Sequence, residues 1–321
     1  MEQLFQVPGI RAAIDLASSF RGATAPNPPV GAAAWDREGQ LLGVEAHQCA
    51  GAAHAEVRLL TLLRDHGTLS RLHSMFVTLE PCNHVGRTGP CTKALLESSL
   101  REIIIGVRDP NPDVTGGGAA ALQRAEVHVM ALSLVPEREA CERLIEPFRK
   151  LTTVRRPWVT LKTAHQNREL WSSMVPPVGS VTFTSHEGLV LAHSLRKRAD
   201  AIITGSGTVL ADIPRFTVRH VADHEGKRRF LVVLDRRKRV PESWWDGAFL
   251  RGFDRVEAGS INEALDELGR RGCLEVLVEA GPTLSKTVDE LDLWDEWVRI
   301  YQDGEGECSQ ELLKNVDSFE R

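Results

Sequence analysis

Two short segments far apart in the chain must be brought together by whatever fold it adopts. His54-Ala55-Glu56 is followed, after a helical stretch and a β-rich run, by Pro81-Cys82 and then by Gly89-Pro90-Cys91. One imidazole and two thiolates fill three corners of a tetrahedral zinc site and leave the fourth open for water, as in a catalytic rather than a structural zinc. Glu56, two residues beyond His54, is then the spare carboxylate. Beside the open position without ligating the metal, it stands where a general acid/base is needed. Singly the pieces are commonplace, because a His-x-Glu in a helix and two buried thiols both recur by accident. Their conjunction is not, with Pro81 directly before Cys82 and Gly86-Arg87-Thr88-Gly89-Pro90 delivering Cys91. A closed structural site needs a fourth protein ligand, for which His47, Cys49 and His84 are the rivals. An unligated Glu56 argues for catalysis.

Periodicity predicts the elements around these residues. Apolar positions recur at helical spacing from Gly9 to Phe20, and the proline-rich stretch Thr24 to Gly31 holds Asn27 in a stiff loop. Strands follow at Val30 to Trp35 and Leu41 to Ala46, then a helix carrying His54, Glu56, Leu59, Leu60 and Leu63. Ser74 to Leu79 is β-rich, so Cys82 falls where a strand gives way to a loop and a helix through Leu95 to Ser99. Glu102 to Val107 reads as a buried strand, Asp109 to Pro112 as a turn, Gly116-Gly117-Gly118 as the opening of a helix to Ala125 and Val127 to Met130 as a strand. This order predicts a three-layer α/β/α sandwich on a mixed sheet, with both halves of the zinc site at strand ends, where open α/β sheets place their sites. A charged helix from Glu137 to Leu151 leads to a boundary near Thr152 to Pro157, dividing the chain into residues 1–150 and 151–321. Beyond it, strands at Trp158 to Lys162, Ala201 to Thr204, Phe230 to Asp235 and Leu274 to Glu279 predict a second α/β domain. Helices at Ser185 to Arg198, Ile261 to Leu268 and after Gly281 alternate with them.

Composition narrows the partners. A net charge of −5, a pI near 6.1 and 6% aromatic residues give no basic footprint and few stacking groups, which argues against nucleic acid as a partner and against a nucleic-acid deaminase. The start, Met-Glu-Gln-Leu-Phe-Gln-Val-Pro, lacks a basic segment and long apolar core, and no apolar run reaches membrane-spanning length. A cytoplasmic protein with no membrane partner is expected. Six scattered cysteines fit reduced thiols rather than a disulfide framework.

His-x-Glu followed by Pro-Cys and a second cysteine is the pattern of zinc nucleobase deaminases. The wider arrangement resembles the bifunctional riboflavin-biosynthesis deaminase/reductase family: Pro26-Asn27-Pro28-Pro29-Val30-Gly31, His54-Ala55-Glu56, the run from Thr78 to Cys91, and Asp109 to Pro112 with Gly116 match in order and spacing. The resemblance implies a cytidine-deaminase-like domain acting on 2,5-diamino-6-ribosylamino-4(3H)-pyrimidinone 5′-phosphate, a pyrimidine ribosyl phosphate. It makes His54, Cys82 and Cys91 the zinc ligands and Glu56 the catalytic acid/base, and it places Asn27 on the base. His47, His84 and Arg87 are expected on the ribose phosphate, Arg matching phosphate with several donors.

The second half is similar to the family's reductase domain, of dihydrofolate-reductase-like α/β fold, with NADPH as hydride donor. Arg196 with Ala199-Asp200-Ala201-Ile202, the run from Gly205 to Arg219, and Val278 to Thr283 follow the family's order. By that resemblance Thr208, Asp212, Glu279 and Gly281 hold cofactor or substrate, and Arg196 and Arg219 meet the substrate phosphate. No Rossmann fingerprint is present. There are departures. His165 to Glu169 replaces a Ser-Leu-Asp-Gly turn, Thr182 stands where a tryptophan is expected, and Gln302 to Glu307 replaces a Pro- and Gly-rich segment. The chain stops several tens of residues before the family's usual end, so strands that help close the sheet are expected to be missing. An active reductase and a degenerate relative both remain open, as do a deaminase of another aminopurine or pyrimidine and a non-catalytic, zinc-stabilised assembly protein. A homo-oligomer formed through the second domain is a family expectation.

Overall fold

A strand of small residues, Gly-Ala-Ala-Ala-Trp, sits inside the first sheet of the computed structural model, which describes residues 7–83, 89–111, 117–165, 168, 171, 174, 185–302 and 308–315. This is β1 (Gly31–Trp35), buried along its length. It runs antiparallel to β2 (Leu41–Ala46) and to β3 (Ser74–Leu79), while β3, β4 (Glu102–Val107) and β5 (His128–Ala131) are parallel, giving the order β2-β1-β3-β4-β5. Alanine and glycine are poor strand formers, but here they let helices approach both faces. A Cβ on Gly31 would stand 2.0 Å from the Ala13 carbonyl oxygen of α1 (Val7–Ser19). On that face α1 and α5 (Val135–Val154) bury Ile10, Ala13, Leu144 and Ile145 against Ala33, Phe76 and Ile104. On the other, α2 (Ala55–Asp65), α3 (Cys91–Leu96) and α4 (Gly118–Arg124) bury Leu59, Leu63, Leu95 and Leu122 against Ala32, Ala34 and Val77. The result is a three-layer α/β/α sandwich on a mixed sheet. Two boundaries differ from expectation: His54 is the residue before α2 rather than within it, and α3 ends at Leu96.

The chain forms two compact units, Met1–Thr153 and Val154–Arg321. The second unit contains β6 (Trp158–His165), α6 (His186–Arg198), β7 (Ala201–Gly205), α7 (Ser206–Asp212), β8 (Arg229–Leu234), α8 (Glu242–Leu250) and β9 (Phe253–Val256). It continues with α9 (Ile261–Arg270), β10 (Glu275–Glu279), α10 (Pro282–Glu290), β11 (Glu296–Gln302) and β12 (Cys308–Lys314). Its sheet has the order β12-β11-β6-β10-β7-β8-β9, parallel throughout except for β12. Leu265, Leu268 and Val288 of α9 and α10 cover one face, and Leu195, Trp244 and Ala248 of α6 and α8 the other.

Three elements here were not expected. Helix α7 opens on Ser206-Gly207, a glycine-containing start that gives no helix signal; α8 begins behind Pro241; and β9 is only four residues long. Strand β12 was not expected either: it pairs with β11 from Glu296↔Lys314 to Gln302↔Cys308. Its sequence, Cys-Ser-Gln-Glu-Leu-Leu-Lys, lacks the alternation of a half-buried strand. The pairing is instead reinforced by Glu311, which accepts from Tyr301 at 2.9 Å and from its cross-strand partner Arg299 at 3.5 Å. Among the described residues no helix is long and apolar enough to cross a membrane.

Candidate functional site

Three element boundaries converge on the first unit's site. The chain leaves β3 at Leu79 and reaches Cys82 through Glu80-Pro81; α3 begins at Cys91; α2 begins just after His54. The Cys91 N–H donates to Cys82 Sγ at 3.3 Å and the Thr92 N–H to the Cys82 carbonyl at 3.2 Å, seating Cys82 on the first turn of α3. His54 Nδ1 lies 3.6 Å from Cys82 Sγ and 3.3 Å from Cys91 Sγ. A tetrahedral ion about 2.3 Å from each sulfur and about 2.0 Å from nitrogen separates such atoms by about 3.5 Å, so the donor set fits zinc. Among the described residues no fourth side chain joins this group. A hydrogen bond with Cys91, opposed by burial and helped by His54, holds the Cys82 thiol down at about 4. The same bond, with burial, pushes Cys91 up, and Cys82 raises His54. A thiolate beside an imidazole is a site prepared for a cation.

Glu56 stands in the first turn of α2, 3% exposed, and its Oε2 has no hydrogen-bond partner among the described residues. Burial pushes its carboxyl above the ordinary range. It opens into a pocket of about 170 Å³ whose wall includes Asn27, His47, His54, Glu80, Cys82, Asp109, Asn111 and Phe148. His47 is buried, and its Nδ1 lies 3.2 Å from the Ala53 carbonyl. Since a carbonyl only accepts, Nδ1 carries the hydrogen and Nε2, which has no partner among the described residues, presents a lone pair. Burial holds this imidazole neutral by pushing its pKa down. His84 and Arg87 lie outside the described residues.

The second unit carries a wider cavity, about 640 Å³, where α7, α9 and α10 begin beside the loop after β8. Thr208 and Gly281 share its wall, the Gly281 N–H donating to Thr208 Oγ1 at 3.0 Å. Arg236 and Arg239 also line it, Arg239 donating to Ser206 Oγ at 2.9 Å. Asp212 and Glu279 are not on that wall. Asp212 ends α7, its Oδ1 lacking a partner among the described residues, and burial raises its pKa. Glu279 ends β10 inside an ion cluster, where Arg196 grips both of its oxygens at 2.8 and 2.6 Å and Lys162 reaches Oε1 at 3.3 Å. Burial alone would raise Glu279, but Arg196 and Lys162 outweigh it and hold the carboxyl well below the carboxylate range. The remaining Arg196 nitrogen donates to the Thr217 carbonyl at 3.3 Å, so this guanidinium is fully engaged.

His193 accepts the Arg219 N–H on Nδ1 at 2.8 Å. Burial, then Arg196 and Arg219, push it down to about 4. Burial and the charges of Arg196 and Arg215 likewise disfavour the Arg219 cation, outweighing the attraction of Glu279. Sequence reasoning passed over Lys162, His193, Arg236 and Arg239. A lysine ending an apolar strand and a histidine on the inner face of α6 were the signals available.

Comparisons with known proteins match both units of the chain. Residues 8–107 match the family described as the cytidine and deoxycytidylate deaminase zinc-binding region, and residues 164–302 match the RibD C-terminal domain. The riboflavin biosynthesis protein RibD of Corynebacterium ammoniagenes is 35% identical over 297 residues, covering 91% of this chain and 84% of that protein. That of Aquifex aeolicus is 35% identical over 289 residues, covering 88% and 76%. Among solved structures, a diaminohydroxyphosphoribosylaminopyrimidine deaminase/5-amino-6-(5-phosphoribosylamino)uracil reductase from Thermotoga maritima aligns with a TM-score of 0.78 at 27% identity, covering 94% of this chain and 88% of that one. A RibD structure from Acinetobacter baumannii gives 0.76 at 27% identity, covering 93% and 87%.

Proposed function

The chain belongs to the RibD family of riboflavin-biosynthesis deaminase/reductases, and on that premise we propose how its own residues carry the two reactions. The first unit hydrolyses the exocyclic amino group of 2,5-diamino-6-ribosylamino-4(3H)-pyrimidinone 5′-phosphate, and the second reduces the ribosyl group of the product with NADPH. The observation that carries the reading is the His54, Cys82 and Cys91 donor set with Glu56 unligated beside it.

Zinc on those three residues supplies the Lewis acid that makes water nucleophilic near neutral pH. Glu56 takes the proton that water gives up as it adds to the ring carbon bearing the amino group. It passes protons to the ring nitrogen and then to the departing ammonia, leaving a carbonyl. A carboxyl raised by burial suits a group that must both accept and release a proton in one cycle. His47 offers only a lone pair to the pocket, so it takes an N–H of the base rather than a phosphate oxygen. Asn27, with a donor and an acceptor, fixes the ring on the opposite hydrogen-bonding pattern.

In the second unit the donor set fits a phosphorylated dinucleotide: the N-termini of α9 and α10 and the guanidinium groups of Arg236 and Arg239 face one cavity. NADPH supplies the hydride there. Arg219 meets the substrate phosphate. Arg196 holds Glu279 in place instead, since its donors are spent on Glu279 and Thr217.

The test gives purified, zinc-loaded protein the diaminopyrimidine phosphate with and without NADPH, following ammonia release and NADPH absorbance. Ammonia appears in both, and NADPH is consumed when present. Glu56→Gln lowers ammonia release by about 10²- to 10⁴-fold while zinc content holds. No ammonia from zinc-replete wild type sinks the substrate assignment; ammonia without NADPH oxidation sinks the reductase half.

A further inference from the structure

We infer that Glu80, together with Gly117 and Gly118, is a positioning device of the deaminase site, one buried carboxylate linking the wall of the base pocket to the peptide that delivers Cys82. The inference rests on the function proposed for that pocket. Glu80 directly follows β3, and its N–H donates to the Val107 carbonyl at the end of β4 at 2.9 Å. Its side chain is buried, 7% exposed, and its two oxygens diverge. Oε1 accepts the Ala119 N–H at 2.9 Å and Oε2 the Asp109 N–H at 3.4 Å. Asp109 and Asn111 line the pocket alongside Glu80. One carboxylate therefore takes hold of the chain where it leaves β4 and again where it enters α4.

The same two glycines fix the metal side. Gly117 has φ +40°, and a Cβ there would stand 2.5 Å from Glu80 Oε1. At Gly118 a Cβ would fall 1.8 Å from the Pro81 carbonyl oxygen and 2.9 Å from its carbon. A backbone carbonyl cannot swing aside as the end of a long side chain can. The Pro81–Cys82 peptide is thus clasped between Gly118 on one side and the first turn of α3 on the other, where the Thr92 N–H holds the Cys82 carbonyl. Displacing Pro81 carries Cys82 Sγ away from His54. Glu80 itself touches no reacting atom; it acts through Asp109 and Asn111 on substrate, while Gly118, in the segment that Glu80 holds, acts through Cys82 on the metal.

Two variants separate this role from plain helix capping. In Glu80→Gln the side chain keeps its size but turns an amide N–H toward a backbone N–H, loosening the pocket wall. We expect KM for the diaminopyrimidine phosphate to rise about tenfold, kcat to fall less than about threefold, and zinc content to stay at the wild-type level. Glu80→Asp, with the carboxylate restored one carbon short, recovers part of that KM. Gly118→Ala is read without turnover: competition with a chromophoric chelator gives a zinc affinity reduced at least about tenfold, in protein whose NADPH binding matches wild type. A Glu80→Gln protein that melts earlier yet keeps the wild-type KM reduces Glu80 to a cap and overturns the inference. Wild-type zinc affinity in Gly118→Ala overturns the metal half. Should Gly118→Ala not fold, Glu80→Gln decides alone. If wild type releases no ammonia, the functional reading fails instead, and the zinc competition still tests the clasp.

Discussion

The two candidate sites are built from different materials. In the first unit a pocket of about 170 Å³ takes its chemistry from side chains: an imidazole, two thiols and a buried carboxylate held within one layer of contacts. In the second a cavity of about 640 Å³ is walled largely by Gly205, Gly207, Gly281 and the first turns of helices, with two arginines at its side. A side-chain site depends on its metal to bring like groups together, whereas a site of backbone N–H groups is formed by the fold itself. The sharpest way to break this contrast is to remove zinc with a chelator. Ammonia release should fall to background and return on zinc addition, while NADPH affinity, followed by its fluorescence, stays within experimental error of the untreated protein. Loss of both would show the two sites to be less independent than their construction implies.

The largest expected effect of a single side chain on stability lies in the second unit. Glu279→Gln leaves Arg196 and Lys162 without their counter-charge; removing one member of a fully buried pair typically costs about 3 to 5 kcal/mol, and these side chains, 13 to 17% exposed, fall at the lower end, about 3 kcal/mol. Urea unfolding by tryptophan fluorescence reads this unit well, since of the seven tryptophans only Trp35 belongs to the first. The pH dependence has a definite sign. Because the folded Glu279 carboxyl is held below its ordinary value of 4.5, its contribution is complete above that pH and is lost as the pH falls below it. His193, pushed from 6.5 down to about 4, adds a contribution that is present above pH 6.5 and is lost on descending toward pH 4. Glu279→Gln should therefore keep the slope between 6.5 and about 4.5 and lose the one beneath. A variant as acid-sensitive as wild type would show that the ion cluster is not what fails in acid.

The same contrast decides what was legible in the sequence. His54, Cys82, Cys91 and Glu56 were readable because a metal site needs those side chains and the spacing brings them to element ends. That His54 precedes α2 instead of riding on it was not, since helix periodicity does not register where the first hydrogen bond closes. The acceptor character of His47 is set by the Ala53 carbonyl, a tertiary contact. Arg196 meets Glu279 across 83 positions, and no local pattern announces such a pair. In the second unit Thr208 and Gly281 could be named by resemblance, but Arg236 and Arg239 sit in a run of charge, Asp235 to Arg239, that reads as a solvated loop. Strand β12 was missed for a related reason, its pairing resting on backbone and on Glu311 rather than on an apolar face.

The smallest predicted effect sharpens the comparison through the backbone. Left-handed positions in the described part of the first unit fall on glycine except at Glu126, whereas in the second Arg155, Ile213, Phe216, Lys238 and Asp292 take positive φ. Ile213 is the costliest type among these, because a β-branched side chain in that region crowds its own carbonyl. It caps α7 at φ +47°, its N–H donating to the Val209 carbonyl at 3.0 Å, and its side chain is 70% exposed, so little burial offsets the strain. Ile213→Gly relieves about 1 to 2 kcal/mol of strain and gives back part of it by loosening the unfolded chain. The net gain should be roughly 0.5 to 1 kcal/mol in second-unit stability, read as a higher urea midpoint with an unchanged slope, and first-unit zinc affinity should not move. A lower midpoint would mean that the isoleucine side chain secures the loop leading to Arg219 by contacts its exposure does not reveal, and that the strain at α7 is the lesser of two costs.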